Sequence, residues 1–404
     1  MRASAQTTEW RRGEPRIPGP PLGCQALRVH GVFHLVICGG GIAALEGLLR
    51  IRSLMGDDVR VTLVAPNDHF VYRPYAIRQA VGAGHGRRYE MWSLTESTGA
   101  EWVKDSLMEV DAGARAVRTS AGRELRYDAL LLAIGGRLTG DIEHALTFSD
   151  AEAYGISERV VADLEAGSGK SMAIVIPEGA VYPLPAYELA LMTAARTRGA
   201  GAEEPALSLV TPEPYPLAVF GATAGAAVTG LLTQAGVTVY RSAIAYVPSP
   251  GRLLVQPQGA ELSPDHVVAM PRVTGPAIPG VIGGGPFGFI PTDDRCTVPD
   301  TGGRVFAAGD ATSFPVKHGG IGAQQADVAA AAIARLAGGG GADERFEPEI
   351  RGKLLTGGPP LYLRARLVGD QGFDSEVFTT PPWPVDDKVI AAELGPYLAG
   401  LDNR

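Results

Sequence analysis

Short apolar runs alternate with helix-length amphipathic segments along most of this chain, beginning near Val32. Residues 33–38 form an apolar run that ends at a glycine, which is typical of a buried parallel strand. A helical pattern follows over residues 42–55, and residues 59–65 form a second apolar run. The spacing of these three segments matches a βαβ unit of about 30 residues.

The same alternation recurs further along the chain. A hairpin-like region at 101–127 and a strand at 129–134 are predicted first, and a Gly-Gly break follows them. The second alternating region begins after this break. The pattern then predicts strands at 172–176, 207–211, 237–240 and 304–308, and helices at 187–197, 225–235 and 322–336. Strands that alternate with helices in this way favour an α/β fold with two Rossmann-like dinucleotide-binding domains.

Composition and charge narrow the class of protein. Of the 404 residues, 45% are hydrophobic and 20% are charged, as in a globular protein with a sizeable core. The net charge is −8 and no basic stripe is visible, which argues against a nucleic acid partner. No apolar run reaches the ~18 residues that a transmembrane segment needs. Residues 1–30 carry several prolines and lack the apolar core of a signal peptide, so we predict a disordered tail there or a start assigned too far upstream.

The cysteines and histidines favour neither a disulfide framework nor a metal site. Cys24, Cys38 and Cys296 are far apart in sequence, and no C-x-x-C motif occurs. This pattern is typical of a reducing, cytoplasmic setting. The seven histidines are scattered without the spacing of metal ligands, and only His318, next to Lys317, invites a test.

The segment between the first strand and the first helix contains a candidate phosphate loop. Residues 39–44 read GGGIAA and fit the pattern G-x-G-x-x-G/A. Gly39 permits the tight turn, Gly41 lets the backbone approach a pyrophosphate, and Ala44 lets the helix pack on the strand. Free N–H groups and the helix dipole would then hold the phosphates.

The end of the second strand departs from the usual dinucleotide-binding pattern. A carboxylate is expected there to bind the ribose hydroxyls. Ala65 stands at this position instead and is followed by Pro66 and Asn67. We therefore expect the ribose contact to come from the backbone or from Asn67.

Two further segments, taken together with the phosphate loop, match a known family. Residues 127–135 (YDALLLAIG) are similar to its Y-D-x-L-V-x-A-T-G segment, and residues 305–310 (VFAAGD) are similar to its V-Y-A-A-G-D segment. In the order and spacing of these motifs, the chain resembles the FAD-dependent pyridine nucleotide–disulfide oxidoreductases over roughly residues 32–336. Residues 70–74 (FVYRP) are similar to the F-x-x-x-P element of the branch that contains sulfide:quinone oxidoreductases and single-subunit NADH:quinone dehydrogenases.

This resemblance implies FAD as the cofactor and roles for several residues. Asp310 would hydrogen-bond a ribityl hydroxyl, and Gly309 would let the chain pass close by. The helix at 322–336 would point its N-terminus at the flavin pyrimidine, where Lys317, one of five lysines, would add a full positive charge. The residues that we predict to bind the cofactor are Gly39, Gly41, Ile42, Ala43, Ala44, Ala65, Pro66, Arg73, Ala133, Gly135, Gly309, Asp310, Lys317, Gly320 and Gln324.

The second α/β unit lacks the usual nicotinamide-binding loop. Counted back from Glu188, the three glycine positions are occupied by Val181, Pro183 and Ala186. Because proline has no backbone N–H and valine blocks close approach, a pyrophosphate would be poorly held. We predict that this unit keeps the fold and has lost ordinary NAD(P)H binding, while binding through another loop geometry stays open. Glu188 and Lys317 are the predicted catalytic residues. The alternative for Glu188 is a structural role, in which its carboxylate interacts favourably with the dipole at the N-terminus of its helix.

The predicted organisation is a tail followed by three parts. An FAD-binding domain is formed by residues 31–150 and 270–336, a degenerate nicotinamide-binding-like domain by residues 151–269, and a small C-terminal cap by residues 337–404. In the cap, residues 387–401 are predicted to form one short helix, because four apolar side chains share a face. This helix is not strongly basic, so we favour a packed or dimer-contact helix over a membrane-binding one.

The predicted function is FAD-dependent transfer of a hydride or two electrons between a small donor and an acceptor such as a quinone, without a thiol pair. Two alternatives stay open: an NAD(P)H-dependent flavin reductase with an atypical loop, and a non-catalytic flavin-binding partner subunit. The expected partner is a small-molecule substrate or a quinone, and a weak peripheral membrane contact and a homodimer are left open.

Overall fold

The computed structural model describes residues 32–84, 86–140, 142–149, 151–179, 182–200, 203–340, 342–368 and 372–402. The predicted tail at residues 1–30 lies outside these ranges. The α-helices within them are α1 (Ile42–Met55), α2 (Ala76–Ala80), α3 (Met91–Ser97), α4 (Ala151–Glu165), α5 (Leu184–Gly199), α6 (Gly221–Gln234), α7 (Gly319–Leu336) and α8 (Leu394–Asp402). Within these ranges no helix is both long enough and apolar enough to cross a membrane.

The strands of the first half are β1 (Phe33–Cys38), β2 (Val59–Val64), β3 (His69–Tyr72), β4 (Arg87–Glu90), β5 (Glu101–Val103), β6 (Leu107–Asp111), β7 (Ala116–Thr119), β8 (Glu124–Arg126), β9 (Ala129–Leu132), β10 (Arg137–Thr139), β11 (Leu146–Thr147), β12 (Ser171–Val175) and β13 (Ala206–Val210). Those of the second half are β14 (Thr238–Tyr240), β15 (Ile244–Ser249), β16 (Arg252–Gln256), β17 (Ala260–Leu262), β18 (His266–Ala269), β19 (Arg272–Thr274), β20 (Val305–Ala307), β21 (Glu349–Leu354), β22 (Leu361–Val368) and β23 (Gly372–Phe378).

The first sheet is parallel and has the strand order β20-β9-β1-β2-β5. Successive side chains of its central strand β1 enter two different cores, because neighbouring residues of a strand point to opposite faces. Leu35 and Ile37 pack in the core that contains α1 and α7. Val36 and Cys38 pack against the antiparallel sheet β6-β7-β8. The sheet is thus covered on both faces, which explains why β1 reads as a continuous apolar run.

The second sheet repeats this architecture with the parallel order β11-β18-β12-β13-β14. Met172 and Ile174 of β12 share the core of α5, and Ala173 and Val175 face the antiparallel sheet β15-β16-β17. The predicted α/β class with two Rossmann-like units is confirmed. β11 joins this second sheet although it precedes the predicted boundary at residue 150.

Two local predictions were wrong. The region at 101–127 is not one hairpin, because β5 joins the first parallel sheet and only β6, β7 and β8 form an antiparallel sheet. The predicted helix at 387–401 begins only at Leu394, because Glu46 of α1 accepts hydrogen bonds from the N–H groups of Glu393 and Leu394 and sets the helix start there. Residues 380–393 before it form an irregular segment, here called the C-terminal strap.

The antiparallel sheet β21-β22-β23 packs on the second α/β unit. Ser375 of β23 donates a hydrogen bond to the carbonyl of Phe220 at 2.5 Å and accepts one from the N–H of Ala224 at 3.2 Å. Gly352 of β21 leaves room for the ring of Phe220, since a Cβ on this glycine would lie 2.6 Å from the ring. The strap then runs from this sheet back toward α1.

Candidate functional site

The turn between β1 and α1 brings the backbone of the first sheet into very close contact. Gly39 has φ +130°, and a Cβ at this position would lie 2.1 Å from the carbonyl oxygen of Ala133. The Gly39 N–H donates to the carbonyl of Val64 at 2.9 Å, and the Ala133 N–H donates to the carbonyl of Cys38 at 2.8 Å. Only glycine satisfies both the backbone conformation and the contact with Ala133.

Gly41 differs from Gly39 because it faces open space. A Cβ on Gly41 would meet no protein atom within 4 Å. Gly41 is also the N-cap of α1 and, as a glycine, has no side chain that could cap the N–H groups of the first turn. Ala44 is fully buried against the sheet, so α1 lies close to β1. The helix N-terminus therefore presents free N–H groups to a space that a side chain would fill, as a pyrophosphate site requires.

The carboxyl end of β20 lies beside this turn. Gly309 has φ +81°, and a Cβ there would approach the Cβ of Ala43 at 3.2 Å. The N–H of Gly309 donates to Oε1 of Gln325 at 2.8 Å, which ties the loop to α7. Asp310 follows and is half-buried. The start of α1 and the Asp310 loop therefore lie side by side.

The carboxyl group of Asp310 lacks a protein hydrogen bond. Among the described residues no N–H or O–H group donates to it. Burial raises the pKa of Asp310, and the nearby charges of Lys317 and Arg73 counteract this rise. A desolvated carboxylate without a donor is suited to accept a hydrogen bond from a bound ligand.

Lys317 is buried beneath the same loop. Its Nζ donates hydrogen bonds to the carbonyls of Thr312 at 2.5 Å and Phe314 at 2.8 Å. It also lies 3.6 Å from the centroid of the Phe289 ring. Burial lowers the pKa of Lys317 to about 8, although Asp310 opposes the shift. The ammonium group is thus fixed in place and carries its charge at neutral pH.

The two neighbouring glutamines of α7 face different parts of the protein. Gln324 donates to the carbonyls of Gly320 at 3.0 Å and Glu349 at 2.9 Å and accepts from the N–H of Glu349 at 3.0 Å, so its amide is engaged by β21. Gln325 instead holds the loop at Gly309 and Thr312. Sequence reasoning missed Gln325, because the packing of α7 on α1 decides which of the two neighbouring positions faces this loop.

The remaining residues of the cofactor prediction lie at the carboxyl edge of the first sheet or next to it. Ala65 is buried and its carbonyl accepts a hydrogen bond from Nε1 of Trp102 at 3.1 Å, whereas Pro66 is exposed. Gly135 has φ +72° and faces open space. Arg73 is exposed, and its charge reaches Asp310. The Ile42 side chain packs over Gly319 at the start of α7.

Glu188 of α5 is fully buried in an ion pair with a residue of the strap. Lys388 Nζ donates to both carboxylate oxygens at 2.8 Å and 2.6 Å, and the N–H of Leu355 donates at 2.9 Å. Burial raises the pKa of Glu188, and Lys388 opposes the shift. Burial also lowers the pKa of Lys388. Sequence reasoning missed Lys388 because 200 positions separate it from Glu188.

A carboxylate that follows β13 turns into the protein instead of toward a ligand. Glu213 accepts hydrogen bonds from the hydroxyls of Tyr187 at 2.6 Å and Thr211 at 3.0 Å. It also accepts one from the N–H of Ala218 at 2.9 Å. Burial raises the pKa of Glu213. This group is therefore occupied where a nicotinamide-binding domain uses a free carboxylate for ribose.

Both cysteines in the described part of the chain are buried and free. Cys38 lies in β1, where burial raises its pKa to about 12. Cys296 is fully buried with φ +60°, and burial likewise raises its pKa to about 12. Cys24 lies outside the described residues. Neither buried thiol is a thiolate at neutral pH.

The fold is that of an α/β protein with two Rossmann-like units, the first of which carries the candidate dinucleotide site. The chain belongs to the pyridine nucleotide-disulphide oxidoreductase family, whose model matches residues 33–334. A sulfide-quinone reductase from Aquifex aeolicus is 25% identical over 303 residues, which are 70% of this chain and 69% of that protein. The resemblance predicted from the motifs is confirmed, and with it FAD as the cofactor and the class of flavin-dependent oxidoreductase.

Solved structures agree on the fold. The sulfide:quinone oxidoreductase of the hyperthermophilic bacterium Aquifex aeolicus superposes with a TM-score of 0.77 at 19% identity, covering 86% of this chain and 87% of that one. An NAD-dependent persulfide reductase from A. fulgidus superposes with a TM-score of 0.62 at 18% identity, covering 84% of this chain and 64% of that one. At these identities the likeness concerns the fold alone.

Proposed function

We propose that this flavoenzyme transfers two electrons from a small-molecule donor to a quinone without using a pair of thiols. The observation that carries the proposal is the relationship, over 70% of the chain, to a protein named for its reaction with sulfide and quinone, combined with two buried cysteines that belong to separate cores. Bound FAD supplies the two-electron chemistry.

Residues of three elements would hold the cofactor. The free N–H groups at Gly41 and at the start of α1 would bind the pyrophosphate, with Ala43 and Ala44 keeping the helix close to the sheet. Asp310 would accept a hydrogen bond from a ribityl hydroxyl, since it has no protein donor among the described residues. The charge of Lys317 and the N-terminus of α7 would stabilise negative charge that develops on reduction. Gly320 would contribute its backbone at this helix end, and Gln324 would support it through the hydrogen bond from its side-chain amide to the carbonyl of Gly320.

The second α/β unit offers little to a nicotinamide dinucleotide. Pro183 is the N-cap of α5 and Pro185 lies in its first turn, so two backbone N–H groups are missing where a pyrophosphate needs them. Glu188 is bound to Lys388, and Glu213 is bound to Tyr187. These contacts support the loss of ordinary NAD(P)H binding and favour another electron donor.

The positions of the cysteines support a mechanism without a thiol relay. Cys38 packs on the face of the first sheet that is covered by the antiparallel sheet β6-β7-β8, and Cys296 packs in the core on the other face. Two thiols in separate cores cannot approach each other to form a disulfide. The same buried free thiols support a reducing, cytoplasmic location. A homodimer and a weak membrane contact stay predictions.

Stopped-flow spectroscopy under anaerobic conditions tests the proposal. The purified holoenzyme is mixed with NADH, NADPH or sulfide, and bleaching of the flavin is followed. A ubiquinone analogue with a short tail is then added to enzyme that has been photoreduced. We expect rapid reoxidation by the quinone and slow or weak reduction by either nicotinamide. Rapid reduction by NADH at micromolar concentrations would establish an NAD(P)H-dependent reductase with an atypical loop. No reoxidation by any quinone would instead favour a partner subunit without turnover.

A further inference from the structure

His318 is the N-cap residue of α7 and has an unsatisfied ring nitrogen. The residue is only 6% exposed, and its buried Nδ1 has no hydrogen-bond partner within the described part of the chain. A buried polar atom of this kind is rare in native proteins, because it has lost its hydrogen bonds to water without gaining a partner in the protein. The imidazole therefore requires an explanation that the cofactor-binding residues do not provide.

Tyr182 packs against this imidazole from the second α/β unit. The two ring centroids are 4.8 Å apart and the rings are tilted by 41°. Tyr182 lies in the crossover between β12 and α5, at the carboxyl end of the strand, where open α/β sheets bind their ligands. Among the described residues no partner hydrogen-bonds its hydroxyl. Two aromatic rings thus meet here, and each carries a polar atom that has no hydrogen-bond partner among the described residues.

Three parts of the molecule converge on this pair. Gly319, next to His318, packs against Ile42 of α1 and Val389 of the strap. The cation of Lys388 lies close enough to lower the pKa of His318 further, although burial is the larger cause, and together they bring it to about 4. The imidazole is therefore neutral at neutral pH and offers one N–H donor and one lone pair. Lys388 is paired with Glu188, and burial together with the Glu188 carboxylate raises the pKa of Tyr182. Both rings are therefore neutral and lie beside a buried ion pair.

We propose that His318 and Tyr182 form a substrate-binding pair that hydrogen-bonds the oxygen atoms of a quinone or its hydroquinone. This inference rests on the proposed function and names the residues that recognise its acceptor. A quinone is a flat ring with carbonyl oxygens, which accept hydrogen bonds from a phenol and from an imidazole N–H. The hydroquinone carries hydroxyls, which donate to the imidazole lone pair. A neutral pair suits both forms, whereas a fixed charge would favour one of them.

Equilibrium binding to the oxidised holoenzyme tests the inference. Quenching of flavin fluorescence by a short-tailed ubiquinone analogue is titrated for the wild type, Tyr182→Phe, His318→Phe and the control His69→Phe at an exposed position of β3. Tyr182→Phe keeps the ring contact and removes only the hydroxyl. We expect the dissociation constant to rise about tenfold in each of the first two variants, as the loss of one hydrogen bond predicts. The control should bind as the wild type does.

The variants also separate binding from folding. Flavin content and melting temperature are measured for each, and His318→Asn restores a donor and an acceptor where His318→Phe folds poorly. With full flavin content and a quinone-binding wild type, an unchanged dissociation constant in Tyr182→Phe would overturn the inference and leave the proposed function standing. A folded His318→Phe that binds as tightly as the wild type would do the same, whereas His318→Asn is expected to bind nearly as the wild type does. A wild type that neither binds nor reduces quinone would overturn both.

Discussion

Lys388 and Glu188 form a buried ion pair that fastens the C-terminal strap to the second α/β unit. Both Nζ–Oε distances are below 3 Å, and the two side chains are 6% and 0% exposed. The N–H of Leu355 adds a third hydrogen bond to the same carboxylate. The strap therefore holds together elements that lie far apart in sequence.

Replacing Lys388 with Met should destabilise the protein strongly, because it leaves the Glu188 carboxylate buried without its cation. We expect a loss on the order of 3–5 kcal/mol in the free energy of unfolding. The double variant Glu188→Met with Lys388→Met removes both charges and should recover much of this loss. Urea unfolding followed by circular dichroism measures both values. A double variant that is less stable than Lys388→Met would show that the pair contributes by some other means.

Gly41→Val should produce a folded protein that lacks flavin. No protein atom lies within 4 Å of the added Cβ, so the fold should tolerate it, while the side chain fills the space in front of the α1 N–H groups. The amount of flavin released on denaturation measures cofactor binding, and far-UV circular dichroism measures whether the fold is kept. Gly230→Val in α6, another position with open space around the added Cβ, is the matched control. Full flavin content in Gly41→Val would show that the pyrophosphate lies elsewhere.

Asp310→Ala removes the carboxylate that has no protein donor among the described residues. We expect weaker FAD binding by on the order of 1.5–3 kcal/mol, because a hydrogen bond to a charged acceptor is lost. The fold should be kept, since the loop is held through Gln325 rather than through Asp310. Flavin retention during dialysis, compared with the wild type, gives the result. Equal retention would remove Asp310 from the cofactor site.

Lys317→Met should lower the reduction potential of the flavin by the equivalent of roughly 1–2 kcal/mol, because a fixed positive charge stabilises the reduced form. The pKa of Lys317 is lowered to about 8. The group is therefore charged below this pH and neutral above it. The difference between variant and wild type should be full near pH 6 and small near pH 10. Redox titrations at the two values check this. A difference that does not change with pH would mean that Lys317 acts through packing.

Asp327→Asn should stabilise the protein at neutral pH. Asp327 of α7 faces Glu46 of α1; burial and this second carboxyl raise its pKa to about 8. Because the pKa in the folded state lies above the unfolded value of about 4, the folded protein binds more protons between these limits. Wild-type stability should thus fall, relative to the variant, by up to about 1.4 kcal/mol per pH unit from pH 4 to 8. Thermal unfolding of both proteins across this pH range measures the difference in stability. A difference that does not change with pH would contradict the raised pKa of Asp327.

The local features of the cofactor site could be predicted from the sequence. The helical pattern at 42–55 coincides with α1 (Ile42–Met55), since apolar spacing, the preceding glycines and Gly56 all lie within one short segment. Gly39 was assigned to a tight turn, and its φ of +130° agrees with that assignment. These features depend on interactions between near neighbours, which a sequence pattern records directly.

Other features could not be predicted from the sequence, because they depend on contacts between residues that lie far apart in it. The side chain of Gln325 rather than Gln324 faces Gly309, because the rotation of α7 is set by its packing on α1. β5 leaves the expected hairpin because the edge of β2 offers it hydrogen bonds. Residues 387–393 do not extend α8 toward its N-terminus, because Glu46 sets the helix start at Leu394 and Lys388 is held in the ion pair with Glu188.

The sequence by itself determined the two α/β units, the phosphate loop and the family relationship that implies FAD. These depend on the periodicity of strands and helices and on glycine positions, which are local patterns of neighbouring residues. Only the tertiary structure decided which charged groups are free and which are paired. Lys388 and Glu46 look like ordinary polar residues in the sequence, and nothing there shows that His318 is buried. Burial changes the behaviour of each, because the free energy of a charge or a hydrogen bond depends on the neighbours and the solvent that folding brings to it or takes away.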